Sequence, residues 1–219
     1  MLKGYIDSRQ TFINTFLCEM PMGTPATALN QQIVHDIREK QKYFKTEKVS
    51  NNLFKMEGSQ LVYYWYEVDS KILLGAEFLR EHHALVVNYI GKTNKGSPPY
   101  ASDLYLAVLA DRKNLPTNPI GPSEINAIVM SDSKLSEEGL NIWIKLLNAG
   151  HKLLIYNKDY PGAVNIPIDS IDHLKQYFKH NDVNYQKYRY VLAENGPSFG
   201  DILGFFSLRR IRELTPGML

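Results

Sequence analysis

The sequence predicts a mixed α/β (α+β) fold in which a mostly antiparallel central sheet is flanked by helices. Three apolar runs lie between residues 61 and 91. Their connections suit only hairpins, because a parallel crossover needs about a dozen residues. Segments with helical periodicity precede and follow these runs. A length of 219 residues suits one domain, so we expect a single domain over residues 1–219, with an amino-terminal strand and helix and a carboxy-terminal helix–strand–helix extension.

The composition favours a stably folded cytoplasmic protein. Hydrophobic residues make up 44% of the chain, which suffices for a packed core. The 25 basic and 23 acidic residues nearly cancel, so nucleic acid has weak support as a partner, resting on Arg209, Arg210 and Arg212. A single cysteine, Cys18, excludes an internal disulfide and fits a reducing compartment. The sequence has neither a secretory leader nor 18 consecutive apolar residues, so we expect no membrane partner.

The amino-terminal half divides into one helix and a meander of strands. Residues 11–20 predict a first strand, which a Pro/Gly-rich turn ends. Apolar residues at helical spacing then predict a helix from residue 27 or 30 to about residue 44. The runs LVYYWYEV, KILLGAEFL and ALVVNYIG follow as three hairpin-linked strands. The third run is almost wholly apolar, which is typical of a central strand covered on both faces.

The remaining elements alternate between helices and strands. Ser102 is the predicted cap of the next helix, and Gly150 is the predicted stop of a later one that carries Trp143 on its apolar stripe. The predicted helices are residues 102–112, 136–148, 170–180 and 202–214, and the predicted strands are residues 125–130, 152–156 and 188–193.

Two segments of the chain carry a resemblance to a known superfamily. The loop GKTNKGSPPYASD follows the central strand and opens a helix. The segment SDSKLSEEGLNIWIKLLNAGHKLLIY gives a polar strand end at Ser131, an aromatic-bearing helix with Trp143, and a turn at Gly150 and His151. With its β-β-β, loop, helix, β, helix, β order, the middle of the chain resembles GNAT-like acyltransferases, and could belong to a divergent, phage-type branch.

The resemblance implies that acetyl-CoA or another acyl-CoA is the donor substrate, and that no metal is needed. In that superfamily, the loop after the central strand and the start of the next helix hold the pyrophosphate of the coenzyme. The physics suits this task, because a helix start offers unpaired N–H groups and the positive end of its dipole to an anion. The residues implied to bind the coenzyme are Tyr89, Lys95, Gly96, Ser97, Tyr100, Ala101 and Ser102.

Acyl transfer to an amine also requires a base that accepts a proton from the attacking nitrogen. Glu67, Glu77 and Asp132 are the candidate carboxylates. Asp132 is the strongest, since it follows a predicted strand where ligands of open α/β sheets bind. Ser131 beside it is a further catalytic candidate, and a tyrosine acid could be supplied by Tyr100, Tyr105 or Tyr156.

Three functions remain open from the sequence. The first is an N-acyltransferase whose amine acceptor is a small molecule or part of a macromolecule. The second is a catalytically inactive GNAT-like binding or structural protein, which Pro98 and Pro99 favour because neither offers an N–H group to a phosphate. The third is a nucleic-acid base-modification enzyme on the same scaffold, in which Tyr and Trp side chains would stack a base. His173 and His180 have no partner at metal-ligand spacing, so we expect no metal site.

Overall fold

The computed structural model of the protein describes residues 26–81, 84–94, 96–113, 128–132, 134–159, 166–179 and 182–193. Over these ranges the fold is mixed α/β, with a nine-stranded, mostly antiparallel sheet and four helices. The strand predicted at residues 11–20 and the helix predicted at residues 202–214 lie outside the described residues, as does Lys95.

The helices are α1 (Ala26–Lys40), α2 (Ala101–Lys113), α3 (Glu137–Asn148) and α4 (Ile171–Gln176). The first five strands are β1 (Thr46–Lys48), β2 (Leu53–Glu57), β3 (Leu61–Val68), β4 (Lys71–Glu81) and β5 (Ala84–Lys92). The other four strands are β6 (Ile128–Met130), β7 (Leu153–Asn157), β8 (Ile166–Ile168) and β9 (Tyr188–Ala193).

The three apolar runs form the meander β3–β4–β5, as the sequence predicts, and several element ends differ from expectation. The first helix ends at Lys40 instead of near residue 44, since the following residues form turns with i to i+3 bonds such as Tyr43 N–H to the Lys40 carbonyl. Helix α2 begins at Ala101, so Tyr100 precedes it and Ser102 is not its cap. Strands β1, β2 and β8 are not predicted from the sequence, because each is only three to five residues long.

The strand order is β1-β2-β3-β4-β5-β6-β9-β7-β8. Strands β5 and β6 pair in parallel, with α2 in the connection between them, and the other neighbouring strands of the sheet pair antiparallel. The parallel pairing covers only three residue pairs and ends where Val86 faces Met130. Strand β5 continues to Lys92, whereas β6 ends at Met130, so the two strands part in the middle of the sheet.

The larger core lies between the sheet and helices α2, α3 and α4. Trp143 of α3 is fully buried and contacts the rings of Tyr105 and Tyr190, at centroid distances of 5.7 and 5.8 Å. Tyr105 in turn contacts Phe78 of β4 edge to face. This chain of aromatic rings joins α2 and α3 to the sheet and fixes the helices beside the point where β5 and β6 part.

Helix α1 covers the other face of β4 and β5 at unusually short range. A Cβ atom at Gly91 would lie 2.5 Å from Ile33 Cγ2 and 3.0 Å from the Cα of Asn30. The side-chain oxygen of Asn30 also accepts the backbone N–H of Lys92 at 2.8 Å. The absence of a side chain at Gly91 therefore lets α1 pack directly against the free half of β5.

We expect Gly91→Ala to destabilise the fold by about 1 to 3 kcal/mol, because the added methyl group meets the helix backbone and not only a flexible side chain. Gly58→Ala is the matched control, since its Cβ would come no closer than 3.3 Å to its nearest neighbour. Urea unfolding of both variants measures the difference. Equal stability of Gly91→Ala and Gly58→Ala would contradict the close approach of α1.

Candidate functional site

A cleft of about 480 Å³ opens where β5 and β6 separate. Its walls come from the free half of β5, from the start of α2 and from the segment that joins β6 to the first turns of α3. The residues that line the cleft include Asn30, Asn88, Tyr89, Lys92, Gly96, Tyr100, Ala101, Ser102, Tyr105, Ser131, Asp132, Lys134 and Lys145. The cleft is thus built from three main parts of the chain, with Asn30 of α1 as a fourth contributor.

The β5 wall contains a β-bulge. Glu77 of β4 faces Tyr89, and the next residue, Phe78, faces Val87, so Asn88 is the extra residue of β5. Beyond Val86, β5 has no strand neighbour on the β6 side within the described ranges. The backbone of this half-strand therefore presents an edge to the cleft, to which an extended ligand with amide groups can pair.

The start of α2 supplies a cationic part of the cleft. The ring of Tyr100 has two ammonium groups over it, Lys92 Nζ at 4.7 Å and Lys145 Nζ at 5.3 Å from the ring centroid. Burial, followed by the charge of Lys145, lowers the pKa of Lys92. The Tyr100 N–H donates to Asp103 Oδ2 at 3.0 Å, so a side chain of the first helical turn satisfies the N–H of the residue before the helix. The two ammonium groups can attract an anion to this side of the cleft, although the Asp103 carboxylate already accepts the Tyr100 N–H at the helix start.

Asp132 is a half-buried carboxylic acid directly after β6. Burial raises its pKa to about 6, although a backbone hydrogen bond from Lys134 and the charges of Arg189 and Lys134 act in the opposite direction. Its Oδ1 atom is buried and has no hydrogen-bond partner among the described residues. The same carboxyl group, after burial, contributes to the raised pKa of Tyr105. A carboxyl group with a pKa near neutrality and one uncommitted oxygen can act as a general base.

Ser131 also lines the cleft, but its polar atoms are used within the fold. Its hydroxyl accepts the N–H of Tyr190 at 2.9 Å and donates to the Asp132 carbonyl at 3.0 Å. Its own N–H donates to the Tyr190 carbonyl at 2.9 Å. Ser131 therefore extends the contact between β6 and β9 by one residue and orients Asp132.

Two other predicted carboxylates lie away from the cleft lining. Glu77 points to the α1 face of the sheet, where it accepts hydrogen bonds from the Tyr63 hydroxyl and from Asn88 Nδ2. Glu67 accepts from Trp65 Nε1 at 2.9 Å and from Arg38 at 3.2 Å. The geometry therefore does not support either residue as a base that touches a ligand in this cleft.

Of the predicted coenzyme residues, five lie in the cleft lining: Tyr89, Gly96, Tyr100, Ala101 and Ser102. Ser97 is not in that lining, and its carbonyl accepts a hydrogen bond from Lys92 Nζ. Sequence reasoning missed Lys92 and Lys145, which lie 53 residues apart in the sequence and meet only in the fold. Lys92 could have been found, because it is the second residue of the loop GKTNKGSPPYASD, part of which the resemblance implies binds phosphate.

Within the described ranges, no three His, Cys, Asp or Glu residues are grouped so that they could hold a metal ion. His173 is instead paired with Asp169, at 2.9 Å between Nδ1 and Oδ1. None of the helices described here is long and apolar enough to cross a membrane.

We expect Asp132→Asn to stabilise the protein at pH 7.5 by up to about 3 kcal/mol. The raised pKa of Asp132 means that the stability contributed by this group is fully present below about pH 4 and is lost as the pH rises through about 6. Asparagine cannot ionise, so the gain should nearly vanish at pH 4. Urea unfolding of both proteins at the two pH values measures this gain in stability. A gain that does not change with pH would contradict the raised pKa of Asp132.

Neither models of known protein families nor searches of curated proteins and of solved structures give a significant match to the chain. A function for this chain must therefore be inferred from the shape and chemistry of the cleft and from the order of its strands and helices.

Proposed function

We propose that the protein is an N-acyltransferase, which moves an acyl group from acetyl-CoA or another acyl-CoA to an amine on a small molecule or a macromolecule. One observation carries the proposal. Strands β5 and β6 part after three residue pairs, and the resulting cleft combines a free strand edge, two ammonium groups at a helix start and the half-buried carboxyl group of Asp132.

The order of elements supports the same proposal. From β3 to β7 the chain runs β-β-β, helix, β, helix, β, which is the order that resembles GNAT-like acyltransferases. The parallel pair β5–β6 stands where the resemblance implies that the thioester enters. The start of α2 stands where the resemblance implies that the pyrophosphate is held.

The chemistry of coenzyme A matches the three walls of the cleft. Its pantetheine arm carries amide groups, which can hydrogen-bond to the free backbone edge of β5. Its diphosphate suits the start of α2, where Lys92 and Lys145 add positive charge. Pro98 and Pro99 have no N–H groups to donate to a phosphate, which favours an inactive scaffold. The positive charges of the two lysines compensate for these missing donors.

In the reaction that we propose, the amine nitrogen attacks the thioester carbonyl carbon, and Asp132 accepts the proton that the nitrogen loses. The C–N bond forms, the C–S bond breaks, and the coenzyme leaves as a thiolate. Because an ordinary thiol has a pKa of about 8.5, the thiolate needs no strong acid and can take its proton from solvent. Tyr100 lines the cleft and remains the predicted phenolic donor, whereas burial raises the pKa of Tyr105 and makes it a poorer one.

Titration calorimetry with acetyl-CoA tests the donor site. We expect the wild-type protein to bind, and Lys92→Gln and Lys145→Gln each to weaken the affinity about tenfold through loss of one charged contact to phosphate. Lys152→Gln, which changes an exposed lysine after α3, is the matched control. Absence of binding at millimolar acetyl-CoA would reject the proposed function, and equal affinity of all four proteins would reject the cationic part of the site.

Release of free thiol from acetyl-CoA, measured with a panel of primary amines, tests catalysis. We expect the rate to rise with pH through about 6, because Asp132 must be ionised to accept a proton. Asp132→Asn should lower the rate about 100-fold or more while acetyl-CoA still binds. Binding of acetyl-CoA without thiol release for any amine would identify the protein as an inactive GNAT-like binding protein instead.

A further inference from the structure

A cluster of polar side chains lies behind the β5 wall of the cleft, on the face of the sheet that α1 covers. Glu77 accepts hydrogen bonds from the Tyr63 hydroxyl and, at 2.5 Å, from Asn88 Nδ2. Asp36 of α1 accepts a hydrogen bond from the Tyr89 hydroxyl. Only Asn88 and Tyr89 also line the cleft, so the cluster connects the cleft to the interior of the α1 face.

The β-bulge explains why Asn88 and Tyr89 share this cluster. Side chains of successive strand residues normally point to opposite faces, but a bulge can turn two neighbours to the same face. Here both side chains reach carboxylates on the α1 side, one on β4 and one on α1. Glu77 and Asp36 therefore hold the two residues that form the bulge, from two different elements.

The cluster is costly for a purely structural role. Glu77 is only 7% exposed, and burial raises its pKa. The surrounding positions on the α1 face are apolar, with Ile33, Ile37 and Trp65 fully buried. An apolar side chain at position 77 would fill the same space without the cost of burying a carboxyl group. The Glu77 carboxyl group lies opposite the bulge at the start of the free edge of β5, where it can hold the bulge in place.

We propose that Glu77 is a positioning residue for the acyl donor: by holding Asn88 it fixes the bulge, and so sets the direction in which the free edge of β5 faces the cleft. Asp36 acts in the same way through Tyr89. This inference rests on the proposed function, because it assigns the cluster to the binding of the acyl-CoA that we place in the cleft.

An exchange of the two side chains tests the proposal. Asn88→Asp places two carboxylates against each other and removes the donor that Glu77 accepts from. Glu77→Gln keeps an amide oxygen that can accept from Asn88 Nδ2, so this variant removes only the charge. The double variant Glu77→Gln/Asn88→Asp restores one donor and one acceptor at the same positions. Glu57→Gln is the matched control, since Glu57 is a carboxylate on the neighbouring part of the sheet that is paired with Arg80 at 2.6 Å.

We expect Asn88→Asp to raise the dissociation constant of acetyl-CoA and its KM about tenfold, with a smaller change in kcat, and Glu77→Gln to change these values little. The double variant should return both values to within about twofold of the wild type, and Glu57→Gln should leave them unchanged. Thermal unfolding is followed in parallel. Loss and recovery of stability without any change in KM or dissociation constant would overturn the positioning role.

The two proposals fail in different ways. If the wild-type protein does not bind acetyl-CoA, the proposed function fails and the positioning role fails with it. If the wild type binds and Asn88→Asp binds equally well, only the positioning role is rejected.

Discussion

The separation of β5 from β6 after three residue pairs is the constraint on which the rest of the structure depends. The two strands are held from opposite sides. Ser131 ties the end of β6 to Tyr190 of β9 through two hydrogen bonds, while Asn30 and the packing at Gly91 hold the far half of β5 against α1. A parallel pair anchored in this way cannot close along its whole length, so one strand edge stays open toward α2 and α3.

The electrostatics of the cleft follow from this opening. The charge of Lys145 lowers the pKa of Lys92, and Asp132 Oδ1 is buried without a hydrogen-bond partner among the described residues, so both arrangements oppose stability. Such costs are typical of functional sites, where burial and like charges adjust the groups for chemistry. The aromatic contacts around Trp143 in the core below provide rigid support for these groups.

Local patterns were enough to predict the elements that frame the cleft, but not their geometry. Hairpin spacing and helical periodicity predicted β3, β4, β5 and α3, and the polar residue after a buried strand singled out Asp132. Alternation could not predict the face of Asn88, because the bulge in β5 interrupts the two-residue period. Lys145 could not be assigned either, since only the packing of α3 beside α2 brings it to Tyr100.

A crystal structure of the protein with coenzyme A is the most direct test of an acyl-CoA site between β5 and β6. The account predicts the diphosphate beside Lys92, Lys145 and the start of α2, the pantetheine arm along the free edge of β5, and the sulfur within reach of Asp132. Coenzyme bound elsewhere on the molecule, or a cleft that stays empty at saturating coenzyme A, would contradict it.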